Sequence, residues 1–246
     1  MSETVVMLHG FAGTSRHWDA VAAELDRERY SPLALELADA DPLALDGAID
    51  LVATAGPETF VLCGYSMGGR IALHVALALR RRVTRLVVVS ASGGIDDGEA
   101  RAERLAADER LAAEIERDGV ERFVERWRET PLFATDPPAI QDAVARDTRR
   151  LSPALIAATL RAYSPGILPG LGGRLGAIDV PAVVVAGARD RPYCAIGRRL
   201  ARELADARYV EVPGSGHRVT LEAPAAVAAA IDAGHAPGPP LKRTAP

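Results

Sequence analysis

A serine with glycines two positions before and after it is the first feature of this sequence that could carry out acid–base or covalent chemistry. Ser66 lies at the centre of Gly64-Tyr65-Ser66-Met67-Gly68, which fits the pattern Gly-x-Ser-x-Gly. A serine on a strained strand-to-helix turn needs these glycines because side chains there would clash. The pattern follows an apolar run and precedes an apolar helical stretch, so it predicts a nucleophile elbow, with a plain glycine-rich turn as the alternative.

An acid and a histidine follow Ser66 in the order that such a serine requires. Asp190 and His217 each come directly after a predicted strand in the second half of the chain. The carboxyl ends of parallel strands share one edge of a sheet, so we expect these three side chains to form a triad. Asp179 precedes its strand and would lie at the opposite edge. The alternative for His217 is an exposed loop histidine.

Two backbone groups could stabilise a negatively charged oxygen beside Ser66. Phe11 follows the first predicted strand in His9-Gly10-Phe11, and Met67 follows the serine directly. Their N–H groups are in the positions that form an oxyanion hole in this arrangement. We interpret His9 itself as a structural turn residue.

Strand-like and helical stretches alternate along most of the chain, which predicts βαβ units and a mostly parallel sheet with helices on both faces. With the triad pattern, this indicates an α/β-hydrolase fold. We expect a core formed by residues 1–93 and 171–235, a helical lid at 94–170, and a disordered tail at 236–246. The predicted strands are 4–8, 32–37, 59–64, 83–89, 180–186 and 209–212, and the predicted lid helices are 101–117, 120–129, 138–149 and 153–163.

Composition limits the kinds of partner and location. Of the 246 residues, 48% are hydrophobic and 25% charged, and the net charge of −4 provides no basic surface for nucleic acid. Two cysteines are too few for a disulfide scaffold. The sequence predicts neither a signal peptide nor a membrane span, so we expect a cytoplasmic protein, either a monomer or a weak homo-oligomer. We expect no metal and no cofactor.

Beyond the fold, the sequence resembles the 2-succinyl-6-hydroxy-2,4-cyclohexadiene-1-carboxylate synthases, a lyase family of menaquinone biosynthesis. Many hydrolases share the segments around Phe11 and Ser66, but Arg70 is a more selective mark. The predicted lid carries the specific likeness, in the segments Arg101-Ala102-Glu103-Arg104, Asp108, Ile115-Glu116, Phe123-Val124, Trp127 and Pro131-Leu132-Phe133-Ala134.

The resemblance implies a specific reaction. These enzymes remove a proton from a polycarboxylated precursor and release pyruvate, without an acyl-enzyme. By resemblance, Ser66 is the base, and Arg70 and Arg104 hold carboxylates of a small anionic substrate. Tyr65 and Trp127 match positions that line the site. An exposed helix charge is the alternative reading for each arginine.

The sequence departs from the family pattern at two places. The family carries an Asp-Leu-Pro-Gly-His-Gly-like segment where this chain has 35–42, which lacks the glycines. A third substrate-binding arginine of the family aligns near Thr148, so Arg146 or Arg149 would have to replace it.

Two alternative functions remain: one uses the same triad, and the other uses no catalytic residue. A serine esterase or C–C bond hydrolase would use Ser66 as a covalent nucleophile. A non-catalytic receptor would gain nothing from an activated serine. Cationic residues in the predicted lid favour the lyase, since a generic esterase pocket is mainly apolar.

Overall fold

The computed structural model describes residues 2–233, and the predicted tail 236–246 lies outside this range. Six strands form one parallel sheet in the order β2-β1-β3-β4-β5-β6. The parallel sheet predicted from the alternation of strands and helices is therefore confirmed. The strands are β1 (Glu3–Leu8), β2 (Tyr30–Leu35), β3 (Phe60–Tyr65), β4 (Val83–Val89), β5 (Ala182–Gly187) and β6 (Ala207–Val212).

Apolar runs form the centre of the sheet because both of its faces are covered. Every residue of β3 and of β5 is buried. Alternate strand residues contribute to two hydrophobic clusters, one on each face. Pro32 lies in β2, an edge strand with only one neighbouring strand. Proline has no backbone N–H to donate, and it is tolerated in such edge strands.

Helices cover both faces and form a separate segment between β4 and β5. Three of them, α4 to α6, lie between the fourth and fifth strands, where no strand was predicted. Their apolar residues form their own cluster, which includes Ala12 from the turn after β1. The α-helices are α1 (Asp19–Glu24), α2 (Leu45–Ala55), α3 (Met67–Ala78), α4 (Gly98–Glu129), α5 (Pro138–Thr148), α6 (Pro153–Tyr163), α7 (Arg191–Glu203), α8 (Val219–Glu222) and α9 (Pro224–Asp232).

The structure corrects several predicted boundaries. Helix α1 is preceded by a short 3₁₀ turn, Ser15–Trp18, which the Thr14 side chain caps. Helix α2 was not predicted. The predicted helices 101–117 and 120–129 form one long element, α4, interrupted at Gly119, whose φ of 83° and ψ of 172° are not helical.

Within residues 2–233, no helix has both the length and the apolar character needed to cross a membrane. Cys63 and Cys194 are both buried and free.

The kink in α4 leads to a stability prediction. Gly119 has a backbone conformation nearly restricted to glycine, yet a Cβ there would meet no atom within 4 Å. Gly119→Ala should therefore lower the free energy of unfolding by about 1–3 kcal/mol through backbone strain alone. Gly98 lies in the same helix with the same open surroundings and no positive φ, so Gly98→Ala is the matched control. Urea denaturation of both variants measures the difference, and equal effects would contradict the strain at Gly119.

Candidate active site

Ser66 connects β3 to α3 in a strained backbone conformation. Its φ is 52° and its ψ is −111°, a region that L-residues rarely occupy. The flanking glycines are required by close backbone contacts. A Cβ at Gly64 would lie 2.4 Å from the carbonyl oxygen of Gly68, and a Cβ at Gly68 would lie 2.2 Å from that of Leu8. The turn is thus the strained strand-to-helix connection that the sequence predicted.

The structure brings Ser66, His217 and Asp190 together. The Nε2 atom of His217 lies 3.0 Å from the Ser66 hydroxyl oxygen. Its Nδ1 atom lies 2.6 Å from a carboxylate oxygen of Asp190. Asp190 caps α7, and its other carboxylate oxygen accepts the Tyr193 N–H at 3.3 Å. This arrangement can move a proton from the serine to the imidazole while the carboxylate stabilises the resulting imidazolium.

Aromatic rings enclose His217, whose exposed fraction is 1%. The centroids of Tyr193, Tyr65 and Phe133 lie 4.5, 5.6 and 5.7 Å from that of its ring. Burial raises the pKa of Tyr65 well above its usual value, so this ring is a neutral phenol at the site. The enclosure restricts the His217 imidazole to the orientation that faces Ser66.

Two loops that carry triad residues are joined through Glu222. Its carboxylate pairs with Arg189, the residue before Asp190, and accepts the N–H of Gly216, the residue before His217, at 2.9 Å. The side chain of Glu222 is 4% exposed. Sequence analysis did not identify this carboxylate, because nothing in the local pattern marks it.

The triad lines a cavity of about 560 Å³. Phe11 and Met67, the residues of the predicted oxyanion hole, line the same cavity. Met67 is the first residue of α3, and the first N–H groups of a helix have no acceptor within that helix. Phe11 is held in the turn after β1. His9 stabilises that turn: its Nδ1 lies 2.9 Å from the Gly10 carbonyl oxygen, and its Nε2 accepts the Leu37 N–H at 3.1 Å.

Arg70 contributes a buried positive charge to the cavity wall. It is 8% exposed, and within residues 2–233 its Nε has no hydrogen-bond partner and its guanidinium no ion pair. Burial lowers its pKa to about 10, which still leaves the group cationic at neutral pH. A buried cation without a protein counter-ion is costly, so the cavity is suited to an anionic group.

Arg104 also lines the cavity, but it has a partner within the protein. Its Nε donates to both carboxylate oxygens of Asp108, each at 2.9 Å, one turn further along α4. Asp108 is buried and also accepts the Ser164 hydroxyl at 2.7 Å. The side chain of Arg104 is 45% exposed, so its charge is weaker in effect than that of Arg70.

An aromatic chain connects the turn after β1 to His217. The Trp127 ring lies 5.4 Å from Phe11, Phe123 and Phe133, and Phe133 continues to His217. Tyr65 and Trp127, both predicted to line the site, do line the cavity. One wall of the cavity is therefore continuous from the sheet to α4 and the loop that follows it.

The structure adds cavity residues that the sequence analysis missed. Arg218, directly after His217, pairs with buried Asp136, and its guanidinium lies 3.8 Å above the Phe133 ring. His17 also lines the cavity; among the described residues neither ring nitrogen makes a hydrogen bond, although Nε2 lies 3.4 Å from a carboxylate oxygen of Asp147, and burial lowers its pKa to about 3. Adjacency to His217 was the one available signal for Arg218; none marked His17.

Neither arginine expected to replace the family's third one lines this cavity. Arg149 pairs with Glu121 on the surface, and Arg146 lines a separate, smaller cleft. Thr148 takes the cavity position, and its hydroxyl donates to the Ala12 carbonyl. The expectation fails because Arg146, in α5, and Arg149, directly after it, are both exposed to solvent. Across the described part of the chain, no group of three or more His, Cys, Asp or Glu side chains could hold a metal ion.

Comparison with known proteins identifies the family. A model of the alpha/beta hydrolase family matches residues 5–230. The chain is 34% identical to the 2-succinyl-6-hydroxy-2,4-cyclohexadiene-1-carboxylate synthase of Enterobacter sp. (strain 638), over 92% of this chain and 89% of that protein. It is 31% identical to the synthase of the same name from Klebsiella pneumoniae (strain 342), over 92% and 91%.

Solved structures agree with this assignment. The structure of MenH from S. aureus superimposes with a TM-score of 0.87 at 26% identity, covering 94% of this chain and 92% of that one. The enol-lactonase from Burkholderia xenovorans LB400, at 20% identity and a TM-score of 0.77, shares the fold, with 95% and 91% of the two chains covered. The predicted fold and the resemblance are thus confirmed: the chain belongs to the alpha/beta hydrolase family and, within it, to the family of the 2-succinyl-6-hydroxy-2,4-cyclohexadiene-1-carboxylate synthases.

Proposed function

We propose that the protein is a lyase of menaquinone biosynthesis that eliminates pyruvate from a polycarboxylated cyclohexene precursor and forms 2-succinyl-6-hydroxy-2,4-cyclohexadiene-1-carboxylate, the compound in its relatives' names. One observation carries the proposal: the buried, unpaired guanidinium of Arg70 in the cavity of the triad. A small substrate with several carboxylates supplies the anion that this cation lacks.

The triad acts in this proposal as a base rather than as a covalent nucleophile. His217 takes the hydroxyl proton of Ser66 over the 3.0 Å contact, and Asp190 stabilises the imidazolium. The serine oxygen then removes a proton from carbon. The electron pair of that C–H bond forms the new C=C bond, and the C–O bond to the pyruvyl group breaks. Pyruvate leaves as its enolate and takes up a proton.

The charge that develops on the substrate needs donors beside Ser66. We assign this role to the backbone N–H groups of Phe11 and Met67, which line the cavity at the ends of β1 and β3. Donors fixed in place before the reaction stabilise an enolate-like oxygen without reorganisation, in the way that they stabilise a tetrahedral intermediate in hydrolases.

The remaining cavity residues would bind the substrate. Arg70 holds one carboxylate from the buried side, and Arg104 reaches a second from α4, where Asp108 fixes its orientation. Tyr65 and Trp127 provide apolar contact to the ring. We propose that residues 94–170, which carry α4 to α6, act as the lid of this site on a core formed by 1–93 and 171–235.

The triad assignment predicts the effect of two substitutions. Ser66→Ala and His217→Ala should each lower pyruvate release by at least about a thousandfold, since loss of a triad member costs orders of magnitude. Circular dichroism and thermal unfolding should show that both variants remain folded. Ser31 is an exposed serine of β2, so Ser31→Ala provides the control and should keep wild-type activity. Activity of either triad variant within about tenfold of wild type would remove the assignment.

The arginines separate a lyase from a hydrolase of neutral esters. Arg70→Ala should reduce kcat/KM for the precursor by the equivalent of about 2–5 kcal/mol, because a buried substrate carboxylate loses its partner. Arg104→Ala should have a smaller effect because that guanidinium is half-exposed and already paired. The assay compares pyruvate formation with the release of a chromogenic acid from a small neutral ester by the same preparation.

Arg110 is the matched control, since it lies exposed on the same helix as Arg104 and does not line the cavity. Arg110→Ala should leave both activities unchanged. Fast ester hydrolysis that is unchanged in Arg70→Ala, combined with no detectable pyruvate, would overturn the lyase assignment. It would favour an esterase with Ser66 as covalent nucleophile.

A further inference from the structure

The turn after β1, which carries one proposed oxyanion donor, contains a strained residue. The Gly13 N–H donates to the Gly10 carbonyl at 3.3 Å, which closes a four-residue turn with Phe11 and Ala12 at its centre. Ala12 has a φ of 55°, although it is not glycine. Such a residue is stable only where its surroundings fix it, so the contacts of Ala12 help to set the conformation of the turn that carries Phe11.

The end of helix α5 makes two hydrogen bonds to this segment, one to Ala12 and one to Thr14, each across more than 130 residues of sequence. The Thr148 hydroxyl donates to the Ala12 carbonyl at 2.9 Å, and the Thr14 hydroxyl donates to a carboxylate oxygen of Asp147 at 2.8 Å. Both hydrogen bonds are buried. The turn is therefore held at its strained residue and at its exit by adjacent residues of one helix.

Helix stability does not account for the residues at these positions. Asp147 lies in the last turn of α5, where the helix dipole disfavours a negative charge, and Thr148 has low helix propensity. Both are buried, at 8% and 2% exposure. Both residues disfavour the end of a helix, yet both are buried and hydrogen-bonded to the segment after β1. The same carboxylate oxygen of Asp147 also lies 3.4 Å from Nε2 of His17, so both of its contacts are with residues 14–17.

We propose that Thr148 and Asp147 are positioning residues that hold the Phe11 N–H in place as an oxyanion donor. The inference rests on the proposed function, in which that N–H stabilises developing charge. Thr148 donates a hydrogen bond to the carbonyl oxygen of the strained residue Ala12, and Asp147 accepts one from Thr14 at the end of the same turn. The helical segment thereby belongs to the charge-stabilising part of the site as well as to its cover.

The required precision explains why such contacts matter. Oxyanion donors must lie within about 2.7–3.1 Å of the charged oxygen. A displacement of about 1 Å can cost on the order of a hundredfold in rate. Loss of a positioning bond should thus reduce kcat and leave substrate binding through the arginines intact.

The test compares a variant that lacks the Thr148 hydroxyl with a variant that retains it. Thr148→Val keeps the shape but removes the donor, and Thr148→Ser keeps the donor. Pyruvate formation should show kcat about ten- to a hundredfold lower for Thr148→Val with KM unchanged. For Thr148→Ser, kcat should stay within about threefold of wild type, which is the rescue expected if the hydroxyl is the feature that matters.

Thr159→Val is the matched control. Thr159 is buried in α6, and its hydroxyl bonds to the Leu155 carbonyl of its own helix at 2.8 Å. This variant should lose some stability but keep kcat. Equal kcat for Thr148→Val and Thr159→Val would overturn the positioning role while leaving the proposed lyase intact.

A second readout does not depend on activity. The backbone amide signal of Phe11 in a ¹H–¹⁵N spectrum should move in Thr148→Val and stay in place in Thr159→Val, and an unmoved signal would also overturn the proposal. If Thr148→Val does not fold, Thr14→Val against Thr14→Ser makes the same comparison at the second bond. Wild-type protein that releases no pyruvate would refute the function, and the amide spectra would still decide the positioning role.

Discussion

The close packing of α3 against the end of β1 is the constraint on which the rest of the site depends. Gly68 approaches the Leu8 carbonyl so closely that no side chain fits between them. This contact sets the start of α3, with Met67 and the strained Ser66, beside the turn that carries Phe11. This backbone contact thus brings the serine and both proposed donors next to one another, and Asp190 and His217 reach that point from the ends of β5 and β6.

Charge is distributed around this point in two different ways. The ion pairs of Arg189 and Arg218 are internal: they connect loops next to Asp190 and His217 to Glu222 and to the connection between α4 and α5. Breaking one of them would leave a buried carboxylate unpaired, which is strongly destabilising. Arg70 differs because within residues 2–233 it has no ion pair. The paired arginines connect parts of the protein, whereas the unpaired one is the residue that we propose to bind a substrate carboxylate.

Sequence could predict the fold and the placement of Ser66, Asp190 and His217, because strand ends and glycine spacing are local signals. Contacts that join distant segments have no such signal. Glu222 joins the loops after β5 and β6, and His17 and Thr148 lie near the turn after β1; these contacts depend on how distant segments pack, which no periodicity encodes. The expectation for Arg146 and Arg149 was wrong for the same reason, since it was based on alignment position without the direction in which each side chain points.

The aromatic chain along the cavity wall also has an optical consequence. The protein contains two tryptophans. Trp18 is fully buried among apolar residues on one face of the sheet, remote from changes in solvent. Trp127 lines the cavity and contacts Phe11 and Phe133, so its indole emission responds to whatever enters or leaves. The fold therefore contains its own fluorescent reporter of occupancy, with Trp18 as a constant background signal.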